Sequence, residues 1–341
     1  MQTETIITRP IKVPRRSSLE LLRIICMIFI VAHHFGVHGG YGNMEMSFFN
    51  QFVICLLSAG GKLGVNIYVL ISGYFLINSK FNIMRIVKTV GLTAFYSATI
   101  YLIFSLATPG AEFSFDELLD NVFVVRNSAY WFVTCYVAMV ILSPFINKLI
   151  YALSEKEHIS LILVLLFMQV AFPHSRAYIS LSQTAWFVTL YIIASYIRLY
   201  PKKQFNDRRI TGIASLVLCI VIGAWNATTG LTNIVCLLGA ISLFMFFNSL
   251  NIKTNRFINL ISKTTFGIYL IHDNDFVRVF IWQKLFNCPF HAGQKTFWLF
   301  SAVAVIVVFV ACSLIELIRM LITKLIIKLY NKSKQNKKAT V

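Results

Sequence analysis

Charged side chains are scarce in this chain, and acidic ones are scarcer still. Of 341 residues only 13% are Asp, Glu, Lys or Arg, and 13 acidic residues stand against 31 basic ones. A soluble globule needs more polar surface than this, whereas 57% of these residues are hydrophobic and the mean hydropathy is +0.73. The composition therefore excludes an ordinary soluble domain and predicts a polytopic membrane protein.

Cysteine is also sparse, and its spacing carries no signature. The seven cysteines are odd in number, form no C-x-x-C pair and mostly fall inside apolar segments. This pattern excludes a disulfide framework and a structural zinc site. We therefore expect the cysteines to be small core residues, and we expect no bound metal.

The net charge of +18 could indicate a protein that binds nucleic acid. No nucleic-acid module is recognisable, and positive cytoplasmic loops next to anionic lipid headgroups account for most of this charge. We therefore expect the lipid bilayer, and not nucleic acid, as its partner. The first sixteen residues are polar and basic and no small-residue cleavage site follows them, so we expect the first apolar run to remain as an anchor.

Hydrophobic runs of helical length recur along the chain. About ten of them are long enough to span a membrane, which predicts an all-α fold, a polytopic transmembrane helix bundle. The approximate bounds of the runs are 19–37, 62–78, 84–107, 129–151, 158–173, 184–200, 210–226, 231–248, 262–285 and 296–319. The apolar segment 48–60 is short, which favours an interfacial or re-entrant piece.

The distribution of Lys and Arg orients this bundle. Cytoplasmic loops carry the excess of these residues, and an inside N-terminus leaves few of them in outer loops: Lys62, Arg126, Arg176 and Lys295. We therefore expect both termini to be cytoplasmic. The predicted organisation is a basic tail at 1–18, a transmembrane domain at 19–320 and a basic tail at 321–341, with 331–341 disordered.

The first apolar run carries groups that a lipid-facing helix would exclude. Arg23 and His34 lie within about 20° on one helix face and about 16 Å apart along the axis. Ionisable groups inside a membrane indicate a functional site by default, and an imidazole with a carboxylate nearby can act as a general base. In the other interpretation, His33 and His34 lie at headgroup depth without a function.

A second group of ionisable residues lies in the run 262–285. The sequence from Tyr269 to Asp275 is YLIHDND, and Arg278 follows it. Asp275 and Arg278 have the i,i+3 spacing of a helical ion pair. The group either belongs to a functional site or forms an internal salt bridge at the outer rim.

Four stretches, in this order, resemble the membrane acyltransferase-3 family. Arg23 followed by ten residues and then His34 is similar to the family's first-helix signature. The other three are GVNIYVLISGY at 64–74, YWF at 130–132 with LSP at 142–144, and FGIYLIH at 266–272. The likeness extends from about residue 18 to 320, and ten spans with both ends inside is the family's usual layout.

The resemblance implies an enzyme of the bacterial inner membrane, an O-acyltransferase. Such an enzyme would move an acyl group, most often acetyl, from cytoplasmic acyl-coenzyme A to a hydroxyl of a surface polysaccharide or its lipid-linked precursor. Acyl-coenzyme A would be a substrate, and no permanently bound cofactor is expected.

The same resemblance implies that His34 is the general base and that Arg23 holds the donor. The helix face that Arg23 and His34 share is called the stripe below. His33 is the weaker base candidate because it points about 80° away from this stripe. Glu20, one turn before Arg23, either orients that guanidinium or is a solvated residue at the start of the helix.

Arg85 and Lys88 begin the third predicted span on its cytoplasmic side. The family often has basic residues at this place that could meet the phosphates of the donor. The other interpretation is that they are ordinary positive-inside anchors.

The likeness also marks residues for the pocket or the acceptor. Ser72 and Tyr74 are expected to be pocket or packing residues. Trp131 either stacks on a sugar or, as we favour, belongs to the interfacial aromatic belt. His272 and Asp273 fall in the ninth-span motif, where many members have Pro in place of Asp273, so this carboxylate either orients an imidazole or contacts the acceptor.

A proton-coupled secondary transporter, or a flippase for a glycan or glycolipid, is the alternative. Buried His, Asp and Arg in a multispan bundle also fit such a carrier. An inverted internal repeat would favour it, and we find none in the sequence. The ordered motifs and the stripe from Arg23 to His34 favour the acyltransferase.

Overall fold

The computed structural model describes residues 16–42, 44–108, 112–126, 130–171, 179–201 and 232–339, with short pieces between 210 and 221. Every regular element in these residues is a helix. Three predicted regions lie wholly or partly outside the described residues. They are the basic tail up to residue 15, most of the span 210–226, and parts of the connection 108–128 between two predicted spans.

The described helices follow one another along the chain. They are α1 Ser17–His38, α2 Phe48–Leu76, α3 Ile83–Ala107, α4 Phe115–Val122, α5 Trp131–Ala152, α6 Glu155–Ala171, α7 Ile179–Leu199, α8 Thr232–Ser249, α9 Arg256–Ile261, α10 Thr265–His272, α11 Asp275–Val279, α12 Cys288–His291 and α13 Phe297–Ala339. Helix α11 continues into one π-helical turn, Phe280–Leu285.

Five of the described helices are long and apolar enough to cross a membrane: α1, α2, α3, α5 and α13. A shorter apolar stretch, Val235–Ser249, lies in α8. The prediction of a helical membrane protein is therefore confirmed. The count of about ten spans and the cytoplasmic location of both termini stay predictions.

Helix α2 runs unbroken through 29 residues, so the predicted separate piece at 48–60 is wrong. The side chain of Ser47 accepts a hydrogen bond from the backbone N–H of Asn50 and caps the start of the helix. No proline interrupts the run. At about 1.5 Å per residue the helix is about 43 Å long, which exceeds the roughly 30 Å hydrocarbon core. It must therefore tilt or project beyond that core.

Helices α1 and α2 form the most extensively packed pair in the described part of the chain. A Cβ atom at Gly60 would lie 2.7 Å from the carbonyl oxygen of Phe29, and one at Gly64 would lie 2.9 Å from that of Cys26. Small residues four apart permit this close approach of two backbones in a membrane. The contact fixes the position of α1, which carries the predicted stripe, against α2.

The predicted span 262–285 is not one helix. Helix α10 ends at His272 and α11 begins at Asp275, with Asp273 between them at φ −95° and ψ 2°. The Oδ1 of Asn274 accepts from the N–H of Phe276 at 3.1 Å and so starts a new helix. Broken helices at membrane depth occur where protein or a cavity covers the free backbone groups.

Helix α13 supports α10 through a buried carboxylate. Glu316 is 2% exposed and accepts two hydrogen bonds from Arg319, at 2.6 and 2.7 Å, and one from the Tyr96 hydroxyl. A Cβ at Gly267 of α10 would lie 2.6 Å from the Glu316 carboxyl carbon. The pairing satisfies the buried charge, and the glycine lets α10 lie directly against it.

The predicted disorder at 331–341 is also wrong for the part that the structure describes. Helix α13 continues through Ala339 and is 43 residues long. Its sequence contains no glycine or proline, and Lys, a good helix former, is the commonest residue of its last turns.

Candidate active site

A cavity of about 430 Å³ lies along the predicted stripe of α1. Met27, Ile30 and His34 line it, and their spacing of three and four residues places them on one helix face. The volume is in the range of small-molecule sites. Much of the wall is aromatic or aliphatic, and its polar side chains include His33, Lys62, Asn66, Gln169, Gln183 and Asp273.

The cavity lies along α1 from Met27 to His34, and Arg23 is one helical turn before Met27. Tyr68 lines it, and the Tyr68 hydroxyl donates a hydrogen bond of 2.8 Å to the backbone carbonyl of Arg23. His34 and Asp273 line the cavity at the other level. The cavity therefore reaches His34 at one level, and at the other its lining residue Tyr68 contacts the backbone of Arg23.

Two histidines form a directional hydrogen-bonded chain at this site. The Nδ1 of His272 lies 2.5 Å from the Ile268 carbonyl oxygen, which can only accept, so Nδ1 carries a proton. In neutral His272 the Nε2 atom is then an acceptor, and it lies 2.9 Å from Nδ1 of His34. His34 therefore donates from Nδ1, and when His34 is neutral its Nε2 is the unprotonated nitrogen, as a general base requires.

The free nitrogen of His34 faces a carboxylate. Its Nε2 is 3.4 Å from Oδ1 of Asp273, and both side chains are about nine-tenths buried. Arg278 lies 3.9 Å from the same oxygen and pairs more closely with Asp275, at 2.6 Å. The ion pair expected from the i,i+3 spacing is thus present, and Asp273 is in position to stabilise a protonated His34.

Tyr130 and Asn274 stabilise the helix break at which Asp273 lies. The Tyr130 hydroxyl donates to the carbonyl of Leu270 at 3.0 Å and accepts from the Asn274 amide at 2.9 Å. These bonds satisfy polar groups exposed where α10 ends and α11 begins. They also explain how the stretch beginning at Tyr130, quoted above for its family likeness, contributes to the site.

One helical turn before Met27, the first α1 residue of the cavity lining, Arg23 pairs with Glu20. The two side chains are 3.1 and 3.3 Å apart, and the Ser262 hydroxyl also donates to the Glu20 carboxylate. Glu20 is 7% exposed. It is therefore not a solvated helix-start residue, and it holds the Arg23 guanidinium in one direction.

His33 has a separate environment from His34. Its Nδ1 donates to the backbone carbonyl of Ser58 at 2.5 Å, and its ring lies against Gly61, where a Cβ would approach to 2.4 Å. His33 also lines the cavity. The contact with Ser58 fixes the ring on α2, away from the chain that runs from His34 to His272.

The remaining predicted residues are spread over the bundle. Arg85 is half-buried and Lys88 is exposed, both in the first two turns of α3, whose start follows the end of α2. Trp131 lines the cavity and is 38% exposed. Ser72 and Tyr74 are not among the described lining residues. His272 is fully buried behind His34 and lies outside that lining as well.

Sequence reasoning missed three polar residues of this region. Asn66 accepts a hydrogen bond of 2.9 Å from the Trp186 indole on the cavity wall. Ser262 contacts Glu20, and Asn274 holds the break. Asn66 lies inside the quoted motif of the second span, so its polar side chain in an apolar run was the available signal. The contacts of the other two depend on tertiary packing.

One group of side chains has a spacing that could hold a metal ion. His34, His38 and Asp273 each offer a ligand atom, and these atoms lie within 4.8 Å of one another. Arg278, 3.9 Å from the shared Asp273 oxygen, opposes a cation there. The imidazole chemistry described above needs no metal.

The fold and this site define a helical membrane protein with a cavity that a histidine-carboxylate pair lines and that begins one helical turn from an arginine on the same helix. The acyltransferase-3 profile, described as an acyltransferase domain, matches residues 16–316. The chain therefore belongs to the acyltransferase-3 family. Membership supports acyltransferase activity in a membrane, with an acyl donor and an acceptor as substrates. No curated protein and no solved structure matches the chain.

Proposed function

We propose that this protein is an O-acyltransferase of the bacterial inner membrane. It moves an acyl group, acetyl in the first instance, from cytoplasmic acyl-coenzyme A to a hydroxyl of a surface polysaccharide or of its lipid-linked precursor. The observation that carries the proposal is the chain from Ile268 through His272 to His34, which leaves Nε2 of His34 free beside Asp273 in the cavity.

The proposed reaction uses His34 as a general base. Its Nε2 takes the proton of the acceptor hydroxyl while the hydroxyl oxygen attacks the thioester carbonyl carbon. The new C–O bond forms, the C–S bond breaks, and coenzyme A leaves as a thiolate. The proton held by His34 then returns to this sulfur. Asp273 stabilises the imidazolium between these two steps, and His272 keeps the ring in its orientation.

In this proposal Arg23 binds a phosphate or pyrophosphate group of the donor. A planar guanidinium suits such groups, and Glu20 and Ser262 hold it in place. Arg85 and Lys88 extend the basic surface toward the same end of the bundle. The apolar cavity wall from Met27 to His34 suits the pantetheine arm. Trp131 offers an aromatic face on which a sugar ring can stack.

Acyl transfer in membranes tests the proposal. Membranes with the native chain or with His34→Ala, at equal expression, receive radiolabelled acetyl-coenzyme A, and label is followed into the surface glycan. Label that appears with the native chain but not with His34→Ala supports the proposal. The matched control is His291→Ala, because His291 stacks on Phe300 away from the cavity. If acetyl, succinyl and other common donors all give no label, the transporter becomes the better explanation.

A further inference from the structure

Two arginines converge on one tyrosine hydroxyl at the end of the bundle where α1 begins. Nη1 of Arg16 lies 3.3 Å from the Tyr74 hydroxyl oxygen, and Nη1 of Arg198 lies 2.9 Å from the same atom. The Arg198 guanidinium also lies over the Tyr74 ring, 4.7 Å from its centre. Arg16 precedes α1, Tyr74 is near the end of α2 and Arg198 is near the end of α7, so three segments build the cluster.

The positive charge of this cluster is not balanced within the described residues. No carboxylate there forms an ion pair with Arg16 or Arg198, whereas Arg23, Arg278 and Arg319 each have one. Two guanidinium groups that share one neutral acceptor repel each other. An anion between them would remove this repulsion.

The cluster is also made almost wholly of donors. Since the Tyr74 oxygen already accepts from both arginines, its own O–H proton is available for a further acceptor. Asn248 fixes Arg16 by accepting from it twice, at 2.8 Å with its side-chain oxygen and at 2.6 Å with its backbone oxygen. Both arginines are half-buried, so they are partly desolvated but still reachable.

We propose that Arg16, Arg198 and Tyr74 form a phosphate-binding site distinct from Arg23. Guanidinium forks and a hydroxyl donor match the oxygens of a phosphomonoester or phosphodiester. Two ligands carry this chemistry at this end of the bundle. One is the donor's phosphates, a case that rests on the proposed function, and the other is the headgroup of an anionic lipid.

The test compares native protein in nanodiscs with the double variant Arg16→Gln, Arg198→Gln. These changes keep side-chain bulk and polarity while they remove both charges. Calorimetric titration with coenzyme A and with 3′-dephospho-coenzyme A measures the affinity for the donor's phosphates. Native mass spectrometry of retained phosphatidylglycerol against phosphatidylcholine measures the lipid case. The matched control is Arg256→Gln, an exposed arginine at the start of α9.

The expected result is roughly tenfold or greater weakening for one of the two ligands, the size of a lost charge-assisted hydrogen bond. A loss for coenzyme A that spares its dephospho form assigns the 3′-phosphate, a loss for both assigns the pyrophosphate, and selective loss of retained phosphatidylglycerol assigns a lipid phosphate. Each of these supports the site. Native affinity of the double variant for coenzyme A, together with native retention of phosphatidylglycerol, would overturn it.

The same measurements separate this inference from the proposed enzyme. Binding is measured without turnover. If the native protein binds phosphate through Arg16 and Arg198 but transfers no acyl group, the phosphate site is supported and the proposed enzymatic function is rejected. Conversely, native transfer with unchanged binding in the double variant would reject only the site. Thermal unfolding of the double variant close to that of Arg256→Gln shows that the fold is kept.

Discussion

Nδ1 of His34 lies 2.9 Å from Nε2 of His272, and this contact sets the chemistry available at the cavity. Because His272 donates from its other nitrogen to the Ile268 carbonyl, the direction of every bond in the chain follows. The imidazole of His34 is thereby held with its basic nitrogen toward Asp273 and the cavity. A histidine that is 238 residues away in sequence thus determines the tautomer of His34.

Replacing His272 with alanine is expected to lower kcat by at least about tenfold, because His34 loses the acceptor that fixes its tautomer. The KM for acyl-coenzyme A should stay near the native value, since His272 does not line the cavity. Steady-state kinetics on membranes at equal expression measure both quantities. A variant with native kcat would show that the contact between the histidines is only structural.

Asp273→Asn is expected to reduce kcat more strongly than Asp275→Asn. Asp273 lies 3.4 Å from Nε2 of His34, whereas the mostly exposed Asp275 pairs with Arg278. An amide keeps the shape of the side chain but does not stabilise an imidazolium, so a loss of about 10- to 1000-fold is expected for Asp273. Equal effects of the two substitutions would mean that Asp273 acts only through the local ion-pair network.

Arg23→Gln is expected to weaken donor binding by roughly tenfold or more, since a charge-assisted bond to phosphate is lost. The paired residue Glu20 is then left buried with one partner fewer, so Arg23→Lys serves as the control that keeps the charge. Titration with coenzyme A gives the affinity without turnover. Full donor binding by Arg23→Gln would mean that the donor is held elsewhere.

Several features of the site can be predicted from the sequence because they depend only on the local pattern of apolar and charged residues. The stripe of Arg23 and His34 follows from helical geometry alone, and the cavity does lie along it. The ion pair of Asp275 with Arg278 and the contact of Glu20 with Arg23 follow from i,i+3 spacing, and both are present.

The break between α10 and α11 at Asp273 was not predicted from the sequence. The run 262–285 is apolar enough to look continuous on both sides of His272–Asp275, and Asn274 bonds to Tyr130 and to the start of α11 where the helix breaks. The contact of His34 with His272 likewise depends on how α1 and α10 pack. The contacts of Asn274 with Tyr130 and of His34 with His272 depend on tertiary packing, whereas the Asn274 cap is a local feature.

Gly64→Leu is expected to destabilise the protein, because its Cβ alone would come within 2.9 Å of the Cys26 carbonyl oxygen. Forcing α1 and α2 apart also displaces His34, which lines the cavity, and overpacking of this kind costs about 1–3 kcal/mol. The matched control is Gly91→Leu in α3, where a Cβ meets nothing within 4 Å. Thermal unfolding in detergent should separate the two. If Gly64→Leu unfolds at the temperature of Gly91→Leu, the close packing of α1 on α2 is not required.

The role of His34 is measured by single-turnover acyl transfer in the His34→Gln variant, with acyl-coenzyme A binding recorded in parallel. Glutamine can still form hydrogen bonds in this position but cannot take a proton from a hydroxyl. We predict native donor affinity and a transfer rate lower by about 100- to 10,000-fold, the usual contribution of a general base. Transfer at the native rate in this variant would exclude His34 as the base.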